Sequence, residues 1–243
     1  MEPTGSKENL DIVECGKLFQ DWTEEKQNSA KNRLWKEFGL FRFLDENGYG
    51  DCDTITDHEY KFLTDVFNVR EHFEKSLSHK KFILKSFTRF ESFFESIHLK
   101  REQLEIHDDS KLTSFLEIIG CTQRWIWNTN TDIWGDALKH HYHTNSHHPQ
   151  YYQSVSENGE VIQENMKYLD IVESVIDMLA CHWERKLNGK EDVENKDLLD
   201  IDEFFLKRYT DHDKIQVKTL LTQLMNIQTK KLVQDNTCQL YGK

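Results

Sequence analysis

Apolar residues recur along most of the chain at intervals of three, four and seven. That is the period of a helix with one buried face. Between Phe19 and Phe43 the series is Leu34, Trp35, Phe38 and Phe41. A second series opens at Tyr60, Leu63, Val66 and Phe67. A third runs from about Val69 to Leu104 through Phe73, Leu77, Leu84, Phe87 and Phe94, with room for one break. His72 and His79 lie seven apart, so an unbroken helix puts both on one face. Further helices are expected from Asp109 or Ser110 to about Trp127, over Ile133–His143, and over Tyr168–Leu187. Two more are expected over Ile201–Tyr209 and Ile215–Gln228.

The breaks in these series carry turn chemistry. Asp45–Asp57 is rich in Gly, Asp, Asn and Thr and reads as a loop. Pro149 disfavours helical backbone at His148, so the helix before it should stop near Asn145. Asn158-Gly159 marks a tight turn within Ser154–Val161, where a small hairpin fits. Asn188–Leu199 is a charged, exposed connection. With only two prolines and ten glycines, the chain is expected to be all-α.

Composition narrows the function classes. Hydrophobic residues make up 37% of the 243 residues, and with 15 Phe and 6 Trp the aromatics must carry much of the core. The formal net charge of -12 opposes nucleic-acid polymers and anionic lipid, leaving a small anionic substrate as the expected partner. Cys15, Cys52, Cys121, Cys181 and Cys238 are scattered and odd in number, which argues against a disulfide framework or a zinc finger. Met1–Leu10 is polar and unlike a signal peptide, and no apolar run reaches the roughly 18 residues of a membrane span. A cytoplasmic location is the expectation.

The histidines are the candidate chemistry. His140, His141, His143, His147 and His148 fall within nine residues, and His107 is followed at once by Asp108. Imidazole and carboxylate are ligands for Mn, Fe or Zn, and a bundle can aim them inward from several helices. The candidate set is His79, His107, Asp108, one of His140 and His141, one of His147 and His148, and Asp177. Neighbours on a helix point about 100° apart, so only one of His140 and His141 should face a given ion.

These residues resemble the HD superfamily of metal-dependent phosphohydrolases in order: His79, then His107-Asp108, then the histidine cluster, then Asp177. The resemblance is closer to a branch found largely in bacteria and their phages. It rests on Ser78-His79-Lys80-Lys81, His107-Asp108-Asp109-Ser110-Lys111, Ala137-Leu138-Lys139-His140-His141, Asn145-Ser146-His147-His148-Pro149-Gln150-Tyr151, and the acidic stretch Asp170–Asp177. It covers roughly residues 70–228. The chain departs from the branch where Asp-Trp is replaced by Asp177-Met178, which leaves Glu173 and Asp170 as fallback ligands.

The resemblance implies an HD-like helical bundle over residues 69–230, an N-terminal helical extension over 1–68, and a tail over 231–243. It implies one ion among His79, His107, Asp108 and Asp177, with Asp108 bridging to a second ion held by His141 and His147 or His148. Asp108 and Lys111 are then the candidate catalytic residues, and Lys111, Asn145 and Tyr151 the candidate substrate contacts. The expected activity is hydrolysis of a small phosphorylated metabolite or nucleotide. An HD-like di-iron oxygenase and a non-catalytic metal-binding or regulatory protein are the alternatives.

A second metal motif lies in residues 45–59. Asp45, Asn47 and Gly50 match positions one, three and six of a calcium-binding EF-hand loop. Tyr49 stands at position five and Thr56 at position twelve, and Glu59 comes three residues late. A calcium site here requires Asp51-Cys52-Asp53 to loop out.

Overall fold

The computed structural model describes residues 12–44 and 53–241, with side chains described over 13–44 and 53–227. The EF-hand-like residues 45–52 lie outside the described residues, so the calcium expectation falls there too. The helices are α1 (Ile12–Gln20), α2 (Glu24–Phe38), α3 (Asp57–Lys61), α4 (Val69–Arg89), α5 (Glu91–Ser96) and α6 (Arg101–Glu105). They continue with α7 (Ser110–Thr113), α8 (Phe115–Cys121), α9 (Asp132–Thr144), α10 (Tyr168–Arg185), α11 (Asn195–Leu198) and α12 (Asp211–Tyr241). Strands β1 (Gln153–Val155) and β2 (Val161–Gln163) form one antiparallel ribbon, Ser154 opposite Ile162. The fold is all-α, as the periodicity predicts, with the ribbon turning at Gly159 (φ 81°) beside Asn158.

Local signals set the helix ends. The Thr23 hydroxyl accepts from the Lys26 amide and starts α2. Gly39, with φ 68°, ends it by donating its amide to the Lys36 and Trp35 carbonyls. The Phe19–Phe43 series is therefore split at both ends. Ser114 interrupts the helix expected to follow Ser110: its extended backbone and hydroxyl cap α8 instead. Part of the expected connection Asn188–Leu199 is helical as α11. The expected Ile201–Tyr209 helix is a 3-10 turn, Glu203–Arg208, and α12 runs from Asp211 to Tyr241, through much of the stretch expected to be a tail.

The chain divides into two compact units, crossing between them within α4, at His107–Asp108, and within α9. One comprises the chain to Ser76 with Asp108–His141; the other comprises Leu77–His107 with Tyr142 onward. The first is built on aromatic edges: Phe19 meets Trp22 and Phe67 at 5.0 and 4.9 Å, and Phe38 stacks on Phe73 at 4.9 Å. Trp35 and Trp127 satisfy their indole N–H groups on the carbonyls of Leu112 and Phe67. Gly120 of α8 lies against α9, where an added Cβ would come within 2.4 Å of the Ala137 Cβ.

The second unit has an aliphatic and phenylalanine core that includes Ile83, Phe87, Phe94 and Leu104. Val172, Val175, Ile176 and Leu179 supply the buried stripe of α10. Asp170, Glu173, Asp177 and Glu184 sit on the same helix at intervals of three, four and seven, so they share a neighbouring face. The packing that buries α10 therefore also holds a row of carboxylates in place.

Candidate metal centre

In the second unit, α4 presents His79, the chain after α6 presents His107, the loop after α9 presents His147, and α10 presents Glu173 and Asp177. All are buried except Glu173, which is partly so. His79 Nε2 lies 3.0 Å and His107 Nε2 3.9 Å from the same oxygen of Asp177. These values bracket the about 3.4 Å between donors at two corners of a tetrahedron with about 2.1 Å bonds. One donor atom from each of His79, His107 and Asp177 falls within 4.8 Å of the others. The same holds for His107, His147 and Glu173, so His107 belongs to both groups.

Carboxylates hold the far sides of these rings. His107 Nδ1 meets Glu173 at 2.8 Å, His147 Nδ1 meets it at 3.4 Å, and His79 Nδ1 meets Glu184 at 3.3 Å. A carboxylate at Nδ1 favours the tautomer protonated there, which makes Nε2 the atom that would ligate an ion, the usual arrangement behind a metal-binding imidazole. Burial pushes the Glu173 carboxyl up, but hydrogen bonds from His107 and His147 outweigh it and bring the group to about 2. For Asp177, burial is likewise outweighed by the hydrogen bond from His79, holding it well below the usual carboxylate range. Both acids are therefore anionic at neutral pH. Lys80 donates to the carbonyls of Glu105 and His107 and so fixes the backbone that carries His107.

The first unit holds a different cluster. Asp108 has φ 55°, a left-handed conformation that Asp tolerates better than most residues, and it turns the chain from α6 into α7. Its carboxylate pairs with Lys111 Nζ and lies 3.5 Å from His141 Nε2. Behind His141 is Glu117, whose side chain is completely buried. Glu117 accepts from His141 Nδ1 at 3.0 Å, His140 Nδ1 at 2.7 Å and the Ser110 hydroxyl at 2.9 Å. Burial raises the Glu117 carboxyl, but these contacts win and lower it.

The structure separates residues that the sequence left as alternatives. His141 is buried and faces Asp108, while His140 is exposed on its outer side and turns toward Glu117. His147 and His148 are both buried, their rings 4.1 Å apart, and His148 packs edge-on against Tyr142. Asp170, a fallback ligand, is engaged by the hydroxyls of Ser146 and Tyr152, whereas Glu173 joins the ligand group. The Asn145 carbonyl accepts from the His148 amide, and Tyr151 is exposed beside Tyr152. Lys111 lies on Asp108. Glu59 closes a capping box on Thr56 and pairs with Lys26.

Glu117 and Glu184 are site residues that sequence reasoning missed. Glu184 had a readable signal, its spacing of seven from Asp177. Glu117 had none, since its link to the histidines is made only by packing of α8 against α9.

A family model matches residues 68–235. The chain belongs to a family of unknown function, DUF5662. No curated protein and no solved structure shows significant similarity to it. The residues of both histidine–carboxylate clusters all fall within the span matched by the DUF5662 model.

Proposed function

We propose that this DUF5662 protein is a metal-dependent phosphohydrolase acting on a small phosphorylated metabolite or nucleotide. In this reading His79, His107 and Asp177 hold a divalent Mn, Fe or Zn ion, and Glu173 stands behind His107 and His147 as the acceptor that orients their rings. The observation that carries it is the convergence of His79 Nε2 and His107 Nε2 on one oxygen of Asp177 within a buried group, with Glu184 and Glu173 at the far nitrogens of the two rings. A mixed imidazole and carboxylate set suits these metals, and it is the set that the HD resemblance implies. When bound, such an ion lowers the pKa of coordinated water and offsets charge on a phosphoryl oxygen. The chain's part is to keep Nδ1 of each imidazole protonated, through Glu173 and Glu184, and to exclude water from the buried rings.

The test is elemental mass spectrometry on untagged protein, with wild type beside His107→Ala and Asp177→Ala, both checked for helical content by circular dichroism. The metal-loaded protein is then given a panel of phosphorylated metabolites and nucleotides. Near-stoichiometric metal lost in both folded variants, with phosphate release that depends on the metal, is the expected result. Absence of binding even on added metal overturns the metal centre. Bound iron with oxygen consumption and no phosphate release replaces hydrolysis with oxygenation.

A further inference from the structure

We propose that a groove between α4, α6 and α10 of the second unit is a binding site for a small anion carrying several phosphoryl groups, made by none of the metal-centre residues. Lys81, Lys85 and Arg89 line it at intervals of four along α4, so they share one face, and Arg101 joins from α6. The cavity is about 540 Å³, within the range of small-ligand sites. Four cations and one carboxylate, Glu191, line it, in a chain of formal net charge -12. A concentration of positive charge on an acidic chain focuses attraction on an anion there.

Arg89 is held in place rather than neutralised, and the ion pairs of Lys85 and Arg101 are exposed. Arg89 is half-buried, and its guanidinium donates only to neutral acceptors, the Asn195 side-chain oxygen and the Val193 carbonyl. Burial lowers its proton affinity. The Trp183 ring lies 5.4 Å from the Arg89 guanidinium and 5.9 Å from Lys85 Nζ, forming a floor beneath both. Arg101 is steadied by the Thr88 hydroxyl at 3.2 Å and by Glu105 at 3.5 Å. Lys85 pairs with Glu191 at 2.7 Å, but the Glu191 side chain is 78% exposed, and so exposed a pair is weak enough for an incoming anion to displace.

Spacing sets the ligand class. Eight residues of helix separate Lys81 from Arg89, a rise of about 12 Å. Cations spread along that length favour a ligand with several phosphoryl groups over a single phosphate. Trp183 is only 5% exposed, so its face is not offered for stacking. Recognition should therefore read charge and not a base.

The experiment is isothermal titration calorimetry on the full chain, stripped of metal with a chelator and exchanged into low-salt buffer. Sodium tripolyphosphate and ATP should bind with similar affinity, inorganic phosphate far more weakly, and all should weaken with salt. The double variant Lys81→Gln/Arg101→Gln should bind tripolyphosphate at least about tenfold more weakly, with unchanged circular dichroism and metal content. Binding should persist in Asp177→Ala, which separates this site from the metal centre. No heat with tripolyphosphate, or binding unchanged in the double variant, overturns the proposal. Binding lost in Asp177→Ala overturns it too, by assigning the anion to the metal centre.

Discussion

Each unit buries a cluster of histidines and carboxylates, and the two are built differently. In the first, one fully buried acid, Glu117, serves two imidazoles and a hydroxyl, while Asp108 is balanced by Lys111. In the second, three imidazoles meet Glu173, Asp177 and Glu184, and the nearby Lys80 is spent on backbone carbonyls. A carboxylate paired with lysine already has its counter-charge. Glu173 and Asp177 are met by imidazoles, which are weaker counter-charges than lysine and leave more negative charge for a cation to balance. The lesson is that ligand type alone does not mark a candidate metal site; the charge left to be balanced does.

The largest expected effect breaks this contrast outright. Asp177→Ala should reduce bound metal to background, because Asp177 is the oxygen donor between His79 and His107. Elemental analysis of dialysed protein reads this, and retention of metal would remove the second unit's cluster as the centre. Next is Glu173→Gln, which keeps the shape and removes the charge behind His107 and His147. Metal affinity should fall about 10- to 100-fold, as when an orienting partner is lost. Competition against a coloured chelator measures it.

The first unit answers in stability. Glu117→Leu strips His140, His141 and Ser110 of a buried acceptor and should cost about 1–3 kcal/mol by urea denaturation. Gly120→Ala should cost a similar amount, since its new methyl meets Ala137 and the Ile133 carbonyl, and neither can withdraw without shifting α9. Wild-type stability from either variant would show that α8 and α9 repack freely.

The effect that is smallest at neutral pH sharpens what a non-ligand histidine does. His72 is buried, its Nε2 bonded to the Lys111 carbonyl at 2.9 Å, and burial lowers its pKa to about 4. Its folded value lies below the unfolded value of about 6.5, so the unfolded chain binds the proton more readily. Its contribution to stability is constant above pH about 6.5 and is lost as pH falls toward 4. His72→Gln should flatten that part of the pH–stability curve, and an unchanged slope would reject the assignment.

Much of this protein is legible in its sequence. The periods around Phe73, Phe87 and Phe94 and along α10 predict the helices, because one buried face per helix leaves a repeat that any window can read. The order His79, His107-Asp108, His141, His147 and Asp177 marks residues that the fold buries in histidine–carboxylate clusters. The splits at Thr23, Gly39 and Ser114 are less legible, since a single cap or left-handed residue overrides a run of apolar spacing.

The sequence by itself determined the all-α class, the acidic charge and the short list of candidate ligands, since these depend on residue type and local spacing. Only the tertiary structure decided that His141 turns inward and His140 outward, that Glu173 and not Asp170 joins the imidazoles, and that Glu117 stands behind His141. Those choices depend on which helix face each neighbour covers, a contact between residues far apart in the chain that no local pattern encodes.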